Sequence, residues 1–230
     1  MALVTQNLFH VGLSTLFDTI REEIPHYAYD YKKHQVVLSN EHHDAIGQVR
    51  LPLHVIVEED LVALEEEWPR VLYLTITAGN AAVCVMEGEE LGYHTTLGAY
   101  MSRKKQGFSQ IKYLNKKGKS RAGSRVRLAA TYTFFENINT LLEELFDEGD
   151  FDRIAIDCPT TLIPYLFQSK VDCPFEKKDP RIYKIPLHLP QSNFTTLEAA
   201  IKKLKAPILS YEEKDAGELS CLLELAEHGQ

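Results

Sequence analysis

The spacing of apolar residues changes character twice along the chain. Leu13, Leu16, Phe17, Ile20 and Ile24 recur at helical intervals before Pro25, which predicts an opening amphipathic helix of about three turns. A polar stretch follows, carrying Tyr27, Tyr29, Tyr31, His34, His42 and His43. No carboxylate or cysteine completes a metal-ligand spacing there, so these polar side chains are expected to face solvent. The acidic run at 58–67, with Pro69 beyond it, reads as a solvated helix. From Val71 the pattern becomes that of strands. Residues 71–77, 81–86 and 91–100, separated by turns at Gly79-Asn80 and at Glu87-Gly88-Glu89, predict three consecutive antiparallel strands.

Helix and strand then alternate. Phe134, Ile138, Leu141, Leu142 and Leu145 mark one face of a long helix that Gly149 stops. A strand at 153–157, a short helix at 162–168 and a strand at 181–186 follow. Thr195-x-x-Glu198 has the form of a capping box opening the next helix; Pro207 ends it, and 219–225 form a last helix. A β-meander followed by this alternation predicts an α+β or α/β fold, with helices packed on a mixed sheet in the manner of ribonuclease H. The expected organisation is an N-terminal extension, 1–70, and one main domain, 71–230.

Composition narrows the class. In 230 residues, 44% hydrophobic content supplies a proper core, which excludes global disorder. The four cysteines are widely spread, as in reduced intracellular proteins. No apolar run approaches the roughly 18 residues of a membrane span, so a soluble, cytoplasmic protein is expected.

Charge is the most informative feature. Residues 101–127 hold ten basic side chains and no acid, whereas the whole chain has a formal charge of −8. The remainder is therefore strongly acidic. A polyanion would relieve the repulsion within the basic segment, and the acidic body would repel phosphate elsewhere, so the segment reads as a nucleic-acid-docking loop. At its centre lies an uncharged, glycine-bearing stretch, Gln106-Gly107-Phe108-Ser109-Gln110. Other chemistries fail on residues. Gly118-Lys119-Ser120 imitates part of a phosphate loop, but Tyr113 stands where the first glycine belongs. Asp157 alone cannot hold two metal ions, and no serine or cysteine sits in a nucleophile elbow. No metal or other cofactor is expected.

Tyr100-Met-Ser-Arg103-Lys-Lys105-Gln-Gly107-Phe-Ser-Gln110, Ala122-Gly123 at the start of the long helix, and Asp179-Pro180-Arg181-Ile-Tyr-Lys-Ile185-Pro186 together resemble the VLRF group. These are release-factor-like peptidyl-tRNA hydrolases whose eukaryotic members add ankyrin repeats and a zinc finger, and the likeness is to the bacterial type. The resemblance spans about residues 71–212. It implies a fold like the middle domain of the eukaryotic class I release factor. It also implies release of stalled nascent chains from peptidyl-tRNA on the large ribosomal subunit, as part of ribosome quality control. By it, Gln110 is the catalytic glutamine, Gly107 lets the loop bend, and Arg103 is a third site residue. The zinc-finger and ankyrin contacts of eukaryotic members do not carry over. Arg127-Leu128-Ala129-Ala130 departs from an Arg-Tyr-Asn-Glu-like sequence at their helix start.

Two reactions fit such a loop. In ester hydrolysis, water attacks the peptidyl carbonyl; the backbone amide of Gln110 donates to the charge developing on oxygen while its side chain positions or excludes water. In the alternative, a tRNA 3′-end endonuclease, a ribose 2′-hydroxyl attacks the neighbouring phosphate without metal, and the Arg103 guanidinium binds two phosphate oxygens. A non-catalytic RNA- or ribosome-binding module is the third reading. In each, Lys104, Lys105, Lys112, Lys116, Lys117, Lys119, Arg121 and Arg125 contact phosphates with little sequence preference. Phe108 stacks on a terminal base or plugs the loop onto the domain.

Overall fold

Arg70–Thr77 carries apolar side chains at both parities, the pattern of a strand covered on both faces. In the computed structural model, which describes residues 3–57, 61, 68–99 and 120–228 (main chain alone for 120–128 and 228), this strand, β5, is the centre of a five-stranded sheet. The meander β5, β6 (Asn80–Glu87) and β7 (Glu90–Gly98) forms one half. Gly79 and Gly88 turn it at φ +92° and +58°, where a side chain is strained; a Cβ on Gly88 would also stand 2.7 Å from the Trp68 ring. On the other side β8 (Arg153–Asp157) and β9 (Ile182–Lys184) run parallel to β5. Asp179 shapes the entry to β9: it accepts hydrogen bonds from the backbone and guanidinium of Arg181, which also donates to Phe151 O.

Helices cover both faces of this sheet. On one, Leu72, Leu74, Ile76, Val83 and Ile154 pack against Phe134, Phe135, Ile138, Leu142 and Leu145 of α2 (Ser120–Glu148). On the other, Val71, Tyr73, Cys84 and Ala155 meet Leu197, Ala200, Ile201 and Leu204 of α4 (Phe194–Leu204). Asn139 of α2 is wholly buried and donates from Nδ2 to the carbonyls of Leu166 and Val171, both at 2.8 Å, tying α2 to α3 (Ile163–Phe167) and the loop after it.

A second sheet is built mostly from the first fifty residues. Its order is β1 (Leu3–Asn7), β10 (Ile208–Glu212), β4 (Ala45–Arg50), β3 (Gln35–Ser39) and β2 (His26–Asp30), antiparallel throughout. Leu16, Phe17 and Ile20 of α1 (Leu13–Glu23), with Leu222 of α5 (Ser220–His228), cover the face carrying Val36, Leu38, Ile46 and Val49. The chain reaches β10 straight from α4. Arg50 of β4 fastens this join by donating to Lys203 O and Ala206 O at the end of that helix, where a cation is favoured.

The expected α+β class with helices on a mixed sheet is what the structure has. Two local readings need correction. The polar Tyr and His stretch forms strands, and His34 within it is 1% exposed, because Arg153 from the other sheet organises Tyr29, Tyr31 and His34 around itself. The helix α4 is capped by Asn193, whose Oδ1 accepts from Thr196 N at 2.8 Å, and not by Thr195. Asparagine in an extended conformation is among the best N-caps, and it starts the helix early enough that Glu198 pairs with Lys202 instead. The reading of 58–67 as a helix falls, apart from Leu61, outside the described residues. No described helix is long and apolar enough to cross a membrane.

Candidate nucleic-acid interface

Strand directions decide where the basic segment is mounted. Because β6 is antiparallel to both neighbours, β7 runs the same way as β5, β8 and β9. All four carboxyl ends therefore lie on one edge, the usual location of sites in open sheets with parallel strands. Residues 100–119 leave that edge after β7 and lead into α2. The exit is fixed: Ala99 N donates to Gly79 O at 2.7 Å, and Leu97 and Ala99 pack on the core beneath α2.

The entry into α2 is set by length. Twenty-nine helical residues span about 43 Å, whereas the eight of β5 span about 27 Å. The far end of α2 is tied to the start of β5, where Arg70 Nη1 donates to Gly149 O at 2.6 Å. Among the described side chains of α2 the first buried one is Phe134, and with its carboxyl end at the start of β5 the helix exceeds that strand's length by about 16 Å towards the same edge. Both ends of the 100–119 connection are thus carried on one side of the molecule.

Around this edge the described surface is polar. A groove of about 410 Å³ beside the exit of β7 is lined by uncharged residues, polar ones such as Thr77, Asn80, Thr96 and Gln191 together with the apolar Leu97 and Pro190. The carboxyl of Asp157, at the end of β8, is raised above its usual range by burial, with the nearby charges of His188 and Lys184 opposing. In β5 the hydroxyl of Thr75, level with Asp157, is buried without a hydrogen-bond partner among the described residues. The groove residues were not anticipated; their signal in the sequence is only that polar side chains end the strands and that Pro190-Gln191-Ser192 forms a loop before α4.

Of the expected site residues, Arg103, Lys104, Lys105, Gly107, Phe108, Gln110, Lys112, Lys116, Lys117 and Lys119 lie outside the described residues. Arg121 and Arg125 fall in the first turns of α2, where the main chain alone is described.

Residues 71–211 match the family described as bVLRF1, Bacteroidetes VLRF1 release factor. The chain belongs to this family. Membership of the bVLRF1 family carries a ribosome-associated release or rescue role, with hydrolytic chemistry in general terms. Among solved structures, the Vms1 mitochondrial localization core is similar at 11% identity and a TM-score of 0.47, over 88% of this chain and 95% of that one. No curated protein matches the sequence. The bVLRF1 match begins one residue into β5 and ends within β10, so it takes in the whole sheet that mounts the basic connection.

Proposed function

We propose that this protein releases stalled nascent chains from peptidyl-tRNA on the large ribosomal subunit, in the cytoplasm, with Gln110 as the residue that meets the ester. The observation carrying this reading is the mounting of the basic connection. Its two ends sit on one edge of the sheet, and Gln110 falls at the midpoint of 100–119, as far along the chain from either anchor as a residue can be. Ten extended residues reach at most about 35 Å, enough to carry a tip well clear of the acidic body. Lys104, Lys105, Lys112, Lys116, Lys117, Lys119, Arg121 and Arg125 bind phosphates of the tRNA acceptor end or ribosomal RNA along the way, and Phe108 stacks on a terminal base. Gly107 permits the bend, the Gln110 side chain positions the attacking water, and the backbone amide of the same residue stabilises the oxyanion as water attacks the carbonyl. In this scheme 71–230 is the catalytic unit, and 1–70 is an extension that contacts a partner.

Cleavage of the tRNA itself, with Arg103 on the scissile phosphate, is separated from hydrolysis by product. The test is release from stalled ribosome–peptidyl-tRNA complexes, with mass analysis of the peptide and RNA ends. Hydrolysis leaves a free peptide carboxyl and an intact tRNA end; nucleotides on the peptide identify the nuclease. Gln110→Ala keeps the backbone donor but removes the side chain that positions water, and should abolish release while ribosome association stays as in the parent. Full release by that variant refutes the role given to Gln110, and binding without turnover by the parent leaves a docking module.

A further inference from the structure

A cavity of about 250 Å³ lies between the two sheets, at the amino-terminal ends of β5 and β8 and therefore on the side away from the basic connection. Part of its lining is apolar, formed by Leu53, Val55, Ile56, Val57 and Phe151. Its polar lining is Tyr29, Tyr31, His34, Asp152, Arg153 and Arg181. Arg153 is only 5% exposed. Its guanidinium lies 3.6 Å from the centre of the Tyr31 ring and donates to Tyr31 O and, at 2.8 Å, to the Tyr29 hydroxyl, with His34 Nδ1 at 3.2 Å.

Every one of these partners is neutral. His34 donates from Nε2 to Pro52 O at 2.8 Å, which leaves Nδ1 to accept from the Tyr29 hydroxyl at 2.6 Å. Burial holds the Tyr29 phenol in its protonated form and the His34 ring in its uncharged form. Among the described residues no carboxylate lies within ion-pairing distance of Arg153. Asp152 accepts from Arg70 N at 2.7 Å, and Asp179 is taken by Arg181. A buried charge is costly unless an opposite charge meets it, and five N–H donors on a planar fork suit a carboxylate.

We propose that this cavity binds a small organic carboxylate, its head on Arg153 and its apolar body against Val55, Ile56 and Val57. The volume is at the small end for ligand sites, which suits a single compact acid rather than a nucleotide. The test uses the full chain with benzoate as probe, benzamide as its uncharged counterpart and inorganic phosphate as a bare anion, followed by calorimetry and thermal melting. Benzoate should bind saturably and raise the melting temperature, and benzamide should bind at least about tenfold more weakly. Arg153→Gln should abolish binding. Because Arg153 also joins the sheets and that variant can fail to fold, Ile56→Trp provides a second route by filling the cavity from its apolar lining. It should melt as the parent does without ligand and lose the benzoate response. Equal binding of benzoate and benzamide, binding of phosphate alone, an unchanged benzoate response in Ile56→Trp, or no saturable binding of benzoate would each overturn the proposal.

Discussion

Acidification from pH 7.5 to 5 should remove about 2 kcal/mol of folding stability through His34 alone. The ring is 1% exposed, and burial, reinforced by the Arg153 charge, takes its pKa from near 6.5 to about 3. The unfolded chain binds a proton at this position as the pH drops below about 6.5, whereas the folded chain refuses it until about 3. Protons thus favour the unfolded state. The stability is fully present above 6.5 and is lost progressively as the pH falls towards 3, at about 1.4 kcal/mol per pH unit once below 6.5. The control variant is His34→Asn, since φ at this residue is +49° and asparagine tolerates that region. It should be less stable than the parent at pH 7.5 by about 1–3 kcal/mol, from the bonds to Tyr29 and Pro52. Urea denaturation at both pH values then gives the decisive quantity: the gap between parent and variant should shrink by about 2 kcal/mol at pH 5. Other groups that titrate, His54 among them, are common to both chains and cancel. A gap unchanged between pH 7.5 and 5 would show that His34 takes up its proton equally in both states, and the account of its burial would be wrong.

Three further outcomes follow from the contacts. Asn193→Ala should cost about 1 kcal/mol and Thr195→Ala less than about 0.5 in the same urea assay; the reverse order would restore the threonine as the cap of α4. Asn139→Leu strands the carbonyls of Leu166 and Val171 and should cost about 2–4 kcal/mol, with a loss below 1 kcal/mol speaking against that link. Replacing Lys116 and Lys117 by alanine should lower the slope of log affinity for ribosomes against log salt by about 1.5–2, and an unaltered slope would remove both from the phosphate contacts.

The sheet carrying the basic connection was legible because each strand announces itself locally. Val71 to Leu74 is an unbroken apolar run that Ile76 extends, the turn glycines sit where positive φ is required, and the stripe from Phe134 to Leu145 has one helical period. The other sheet offered no such signal. His26–Asp30 and Gln35–Ser39 are short and partly polar, and β1 finds its neighbour β10 some two hundred residues away. Likewise, nothing near His34 in sequence foretells its burial, since the group that draws it inward is Arg153, contributed by the opposite sheet. Asn193 was overlooked as a cap because the Thr195 and Glu198 spacing matched a familiar pattern two residues downstream. For the basic segment, composition alone carried the reading, because a cluster of ten like charges needs no tertiary neighbour to be recognised.

The placement of β10 has a consequence for biogenesis. Its five residues lie between β1 and β4, so β1 has no neighbour in its sheet until the chain has been made as far as Glu212. During translation β1 and the free side of β4 must wait unpaired until residues 208–212 have been made. A fragment ending before Ile208 should therefore keep the meander and α2 yet leave the first fifty residues open to protease.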